Sequence, residues 1–144
     1  MQTLFTIGYE RATQADLIAR LKAAGVKVVI DVRAIAASRR AGFSKTVLAA
    51  SLAAEDIDYV HLRALGTPKA GRDAARKGRI AEMRDIFEGH LAEPDAQVQL
   101  AHAEQIAAGR PAALLCFEAD ACGCHRAIVA ERLGEKRAFE VVDL

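Results

Sequence analysis

Apolar positions along the chain fall into short continuous runs that alternate with stripes at helical spacing. Leu4-Phe5-Thr6-Ile7 is a β-prone run halted by Gly8. Thr13 followed by Asp16 reads as a helix N-cap with an acidic first turn, and the stripe Leu17, Ile18 and Leu21 ends at Gly25. Val26 to Val32 is an almost unbroken apolar strand that runs into Asp31-Val32-Arg33. Strands buried on both faces look like this, which is the signature of a parallel sheet. Ser44 can cap a second helix carrying Val47, Leu48 and Leu52, and Ile57 to Leu62 is a further strand holding Tyr59 and His61.

Gly66 to Gly71 reads as a loop, rich in glycine and basic groups, that continues into Arg72 and Arg76. A longer helix then carries Ile80, Met83, Phe87 and Leu91. Pro94-Asp95 breaks and restarts it, and the next helix holds Val98 and Ile106 and stops before Gly109 and Pro111. Ala112 to Phe117 is a central-strand run, Cys124 to Leu133 a last helix with Gly134 beyond it, and Phe139 to Val142 a closing strand. The alternation predicts a single α/β domain over residues 1–144, with a mostly parallel sheet of about five strands and helices on both faces.

Composition narrows the class. A chain of 144 residues, 52% hydrophobic and 27% charged, is long enough to bury roughly 68–70% of its unfolded surface without disulfides or metal. The net charge of +1, from 20 Lys and Arg against 19 Asp and Glu, gives no global basic footprint. Met1 to Tyr9 lacks the pattern of a secretory signal, and no apolar run approaches the roughly 20 residues of a membrane span. Three cysteines, an odd number, fit reduced thiols. A cytoplasmic protein with no membrane partner is expected.

In open parallel sheets, ligands bind in the crevice outside the carboxyl ends of the strands. Those ends carry Gly8 and Tyr9; then Asp31 and Arg33, with Ser38, Arg39 and Arg40; then His61 and the Gly66 loop; then Cys116 and Glu118, with Cys122, Cys124, His125 and Arg126. Asp31 and Arg33 share one side of a strand, either as a structural ion pair or as a guanidinium fork aimed by its carboxylate. Cys116, in an apolar run, is either a small hydrophobe or a strand-end nucleophile. Cys124 stands at a predicted helix start beside two basic residues, where a thiolate is favoured. Glu118 can serve as general acid or base, or simply as a solvated carboxylate. Tyr9 can stack on a ligand or pack.

Cys122-x-Cys124-His125 has zinc-type ligands, but no second pair completes a set of four even with His61, so no metal and no cofactor is expected. A phosphatase or rhodanese site needs arginine about five residues after its cysteine, where Cys122 stands here. His90 and His102 lie within helices and are assigned nothing.

The ordered set Thr6-Ile7-Gly8-Tyr9, Asp31-Val32-Arg33, Ser38-Arg39 with Phe43, Tyr59-Val60-His61-Leu62, Leu65-Gly66 and Leu114 to Glu118 leading to Cys124-His125-Arg126 resembles the bacterial and archaeal family called domain of unknown function 488. The resemblance runs from about Leu4 to Leu133. It implies enzymatic or nucleic-acid-linked chemistry at these motifs and no particular reaction. The chain departs from the family pattern in three places. Ala36-Ala37 replaces a proline before Ser38-Arg39, a family tyrosine has no counterpart around Arg79 to Met83, and the spacer Ala119 to Gly123 holds an extra cysteine.

The leading expectation is an enzyme acting on a phosphate-bearing substrate, a nucleotide or a nucleic-acid end. Arg33, Arg39 and Arg126 would hold the anion, and Cys116, Glu118 or Cys124 would act chemically. Gly8, Tyr9, Asp31, Ser38, His61 and His125 would line the same cleft. The alternatives are a non-catalytic module binding an anionic small molecule or nucleic acid, and a thiol redox protein using Cys122 and Cys124.

Overall fold

A computed structural model describes residues 2–120 and 125–144. Five strands, β1 (Gln2–Gly8), β2 (Val28–Asp31), β3 (Asp58–His61), β4 (Ala112–Cys116) and β5 (Phe139–Asp143), form one all-parallel sheet in the order β3-β2-β4-β1-β5. Six helices cover it: α1 (Gln14–Ala23), α2 (Lys45–Ala53), α3 (Lys69–Arg76), α4 (Ile80–Leu91), α5 (Pro94–Gly109) and α6 (His125–Lys136). The expected α/β fold with helices on both faces is what forms.

Strand alternation divides the core in two. Leu4, Val28, Ile30, Leu114 and Cys116 face one layer with Met83, Phe87 and Leu91 of α4, Leu100 of α5 and Val129 and Leu133 of α6. Ile7, Val29, Ala113 and Leu115 face the other, with Leu17 and Leu21 of α1 and Leu48 and Leu52 of α2. Each Val, Leu, Ile, Phe or Met among them, taken fully out of water, contributes about 1.5–3 kcal/mol. The continuous apolar runs of β2 and β4 follow directly, since every residue of both strands is buried.

Local signals were mostly obeyed. The Thr13 hydroxyl accepts from the Asp16 N–H at 3.1 Å and starts α1. Ser44 precedes α2 as expected, but its hydroxyl bonds the Ser38 backbone at both N–H and carbonyl and makes no cap. Two expectations are corrected. Gly134 lies inside α6 and does not end it. Helix α3 already begins at Lys69, in the stretch read as a loop. Helix α5 holds Val98 and Ile106 as expected, with Val98 69% exposed and Ala96, Leu100, Ala103 and Ala107 buried. No described helix is long and apolar enough to cross a membrane.

The order of strands positions the site. Neighbouring strands β1 and β4 send their following helices to opposite faces, α1 to one and α6 to the other. At such a switch point the connections diverge and leave a crevice at the carboxyl edge.

Candidate functional site

Two glycines allow the loops of that edge to close on one another. A Cβ at Gly8 would lie 1.7 Å from the Glu118 carbonyl oxygen, so only glycine lets the 118 backbone rest on the end of β1. A Cβ at Gly66 would lie 2.1 Å from the Ala34 nitrogen, which packs the loop after β3 against the loop after β2. Tyr9 then stacks on Phe43 with ring centroids 4.4 Å apart and meets Phe117 edge-on at 5.4 Å.

Asp31 is fully buried, and its carboxylate takes Arg33 Nε and Nη2 at 2.9 and 2.7 Å together with the Tyr59 hydroxyl. Arg33 Nη1 donates to the Tyr9 hydroxyl at 3.2 Å and to the Phe43 carbonyl at 2.7 Å. Burial alone would lower the guanidinium pKa, but the hydrogen bonds and charge of Asp31 outweigh it and hold the value above normal. Tyr59 is pushed up by burial and by its bond to Asp31. Arg33 thus commits Nε, Nη1 and one Nη2 hydrogen of its five donors inside the protein.

Arg126 is wholly buried. Its Nη1 donates to the Glu118 carbonyl and reaches Cys116 Sγ at 2.8 Å, and its Nη2 donates to the Ala119 carbonyl at 3.1 Å. It therefore braces the 116–119 turn from beneath, and burial lowers its pKa. Glu118, half-buried above this turn, has its carboxyl 3.4 Å from Cys116 Sγ. Burial pushes that carboxyl up from the usual range, against its own backbone N–H and the charge of Arg126. His125 Nε2 faces the Val32 carbonyl at 2.6 Å. Since a carbonyl only accepts, the neutral ring carries its proton on Nε2. Burial lowers the His125 pKa to about 4, and the neighbouring Arg126 pulls the same way, so the ring is neutral at physiological pH.

A cavity of about 290 Å³ opens here over the carboxyl edge. Tyr9, Arg33, Cys116, Glu118 and His125 line it, and so do Thr67, Arg72 and Arg76 from the start and body of α3, with Ile35, Met83 and Phe117 as apolar wall. Domain of unknown function DUF488 is the family whose model matches residues 13–133. The chain belongs to that family. No curated protein and no solved structure matches it.

The DUF488 motifs named from sequence therefore meet at one edge, with different tasks. Gly8 is a close-approach glycine, and Asp31, Arg33 and Tyr9 form a buried network under the cavity. The His61 ring nitrogen Nε2 lies 2.7 Å from the Arg33 carbonyl, outside the cavity lining. Ser38 holds a turn by accepting from the Arg40 N–H at 3.1 Å. Arg39 is exposed and lines no part of the cavity, whereas Arg40 donates to the Tyr9 carbonyl at 2.5 Å. Cys122 and Cys124 lie outside the described residues. Cys116 closes β4, is 1% exposed and lines the cavity. Among the described residues no three His, Cys, Asp or Glu side chains gather as metal ligands.

Thr67, Arg72, Arg76 and Met83 were missed as site residues. The basic Gly66-to-Arg76 stretch was their signal, but read as loop it gave no face to assign. His90, set aside in the sequence, also belongs to this edge: its Nε2 lies 2.8 Å from the Ala64 carbonyl in the turn that follows β3.

Proposed function

We propose that this DUF488 domain is an enzyme that binds a small phosphate-bearing molecule in the cavity. Arg72 and Arg76 contact the anion, and Glu118 transfers a proton. One observation carries the reading. Two arginines and a carboxyl group biased toward its protonated form face a single cavity at the carboxyl edge of a parallel sheet. Arg72 spends Nη1 on the Thr67 carbonyl at 2.8 Å, and its remaining guanidinium donors have no partner among the described residues. Arg76 holds Asp73 at 3.0 Å at the surface, a pair that an incoming anion can exchange at little cost. The phosphate-binding role thus moves from Arg33, Arg39 and Arg126 to α3.

Calorimetric titration with inorganic phosphate and with adenosine 5′-monophosphate (AMP) tests this. Binding is expected in the wild type, and Arg72→Met with Arg76→Met should weaken it roughly 10-fold or more, as loss of charge-assisted hydrogen bonds requires. Unchanged affinity in the double variant would remove the reading. Glu118→Gln should keep affinity and abolish phosphate release from a panel of phosphate esters. If turnover persists, the carboxyl has no catalytic part, and if the wild type releases none, the domain is a binding module.

A further inference from the structure

A second cavity, of about 740 Å³, adjoins the first and shares Ala34, Ile35, Thr67 and Arg72 with it. Arg63 and Lys69 supply positive charge on its wall, Glu93 and Asp95 supply negative charge, and Pro68 and Val98 supply apolar surface. That wall is built to hold its shape. The Ala64 N–H donates to Gln99 Oε1 at 2.7 Å while His90 meets its carbonyl, so α4 and α5 grip both sides of the turn.

Thr67 stands at the junction. It is 5% exposed, yet its hydroxyl has no hydrogen-bond partner among the described residues. That hydroxyl is not among the fully buried atoms, and Thr67 lines both cavities. Its methyl group is turned to α3, since a Cβ at Gly71 would come within 2.5 Å of Thr67 Cγ2. Beside it the helix begins without a side-chain cap, and the first backbone N–H bonded back belongs to Arg72. Among the described residues the N–H groups of Lys69, Ala70 and Gly71 have no backbone acceptor, and Lys69 lines the second cavity. The bond from Arg72 Nη1 to the Thr67 carbonyl keeps the guanidinium at the same spot.

We propose that Thr67, the amino end of α3 and Arg72 form an oxyanion subsite for an internal phosphoryl group, a phosphodiester or a pyrophosphate. One arm of the ligand lies in each cavity. A hydroxyl, a backbone N–H and a guanidinium, all within residues 67–72, stand together there, and donors of three kinds suit a tetrahedral anion better than a flat carboxylate. An internal phosphoryl follows from position, because the donors sit where the two cavities meet and not at the end of either. This refines the function proposed above and rests on it only in taking the ligand to be phosphate-bearing.

The test compares inorganic phosphate, AMP and the dinucleoside monophosphate ApA by calorimetric titration of the whole chain. ApA should bind at least about 10-fold more tightly than AMP, the added arm filling the second cavity. Thr67→Val should weaken both roughly 5-fold or more, and Thr67→Ser should restore them. Val98→Glu, in the second cavity alone, should weaken ApA and leave AMP within about 2-fold. Equal affinity for ApA and AMP, or a preference for AMP, overturns the internal phosphoryl. Anion binding that is lost with Arg72 and Arg76 but indifferent to Thr67→Val overturns the subsite and leaves the broader function standing. A wild type that binds none of the three overturns both. Should Thr67→Val fail to fold, Thr67→Ala carries the same expectation, with Thr67→Ser again the restoring control.

Discussion

Replacing Gly8 with alanine puts a methyl group where the 118 backbone lies. The new Cβ would stand 1.7 Å from the Glu118 oxygen and 2.4 Å from its carbonyl carbon, with the Ala119 Cα at 3.0 Å. None of these atoms is the end of a flexible side chain, so relief requires the whole turn to move. Overpacking of this kind costs about 1–3 kcal/mol and sometimes more. The same carbonyl accepts from buried Arg126, and weakening a charge-assisted bond adds about 1.5–3 kcal/mol. The expected loss is therefore roughly 3–5 kcal/mol. At about 2–4 °C per kcal/mol for a domain of this size, the melting temperature should fall by about 6–20 °C. Urea denaturation followed by circular dichroism gives the free energy, and a scan gives Tm. A loss below about 0.5 kcal/mol, the range of an ordinary surface change, would refute the close approach of β1 to the 118 turn and with it the placement of Glu118.

Gly134→Ala should do the opposite and stabilise by about 0.5–1 kcal/mol in the same urea assay, since it is interior to α6 with nothing within 4 Å of an added Cβ. Arg33→Met strands the Asp31 carboxylate in the core and should cost about 3–5 kcal/mol of unfolding free energy, whereas surface Arg76→Met should stay within about 0.5 kcal/mol. Folding holds His125 neutral down to about pH 4, while the unfolded ring takes its proton near 6.5, so the unfolded state binds the extra proton in between. Its contribution is complete above pH 6.5 and is lost as pH falls toward 4, and His125→Gln should flatten that part of a stability-against-pH curve. Glu118 has a raised pKa, so folding penalises its ionised form; Glu118→Gln should raise urea stability at neutral pH, and the gain should vanish in acid once the native carboxyl is protonated.

The layered sheet was legible because β2 and β4 are buried on both faces, and such strands admit few polar residues. The edge was legible because parallel strands send every following loop to one side. What each arginine does there was not. Arg33 and Arg72 are the same chemical group, and only burial separates the one that closes on Asp31 from the one with donors to spare. Helix α3 was hidden for a related reason. Pro68 and Gly71 look like loop residues, yet Pro68 fits the position before a first helical turn, and Gly71 is small because Thr67 presses on it. His90 was set aside because it sits at the far end of α4, a place that reaches the site only once α4 has packed against the turn after β3.

The Asp31 network has a consequence for motion. Through one carboxylate it ties Tyr59 on β3 to Arg33 beyond β2, and through Arg33 to Tyr9 beyond β1. No one of these strand ends can fray without breaking bonds made by the others, so the three must open as a cooperative unit. In native-state hydrogen exchange, amides there would share a single opening free energy, and the floor of the cavity would stay ordered while its rim along α3 breathes.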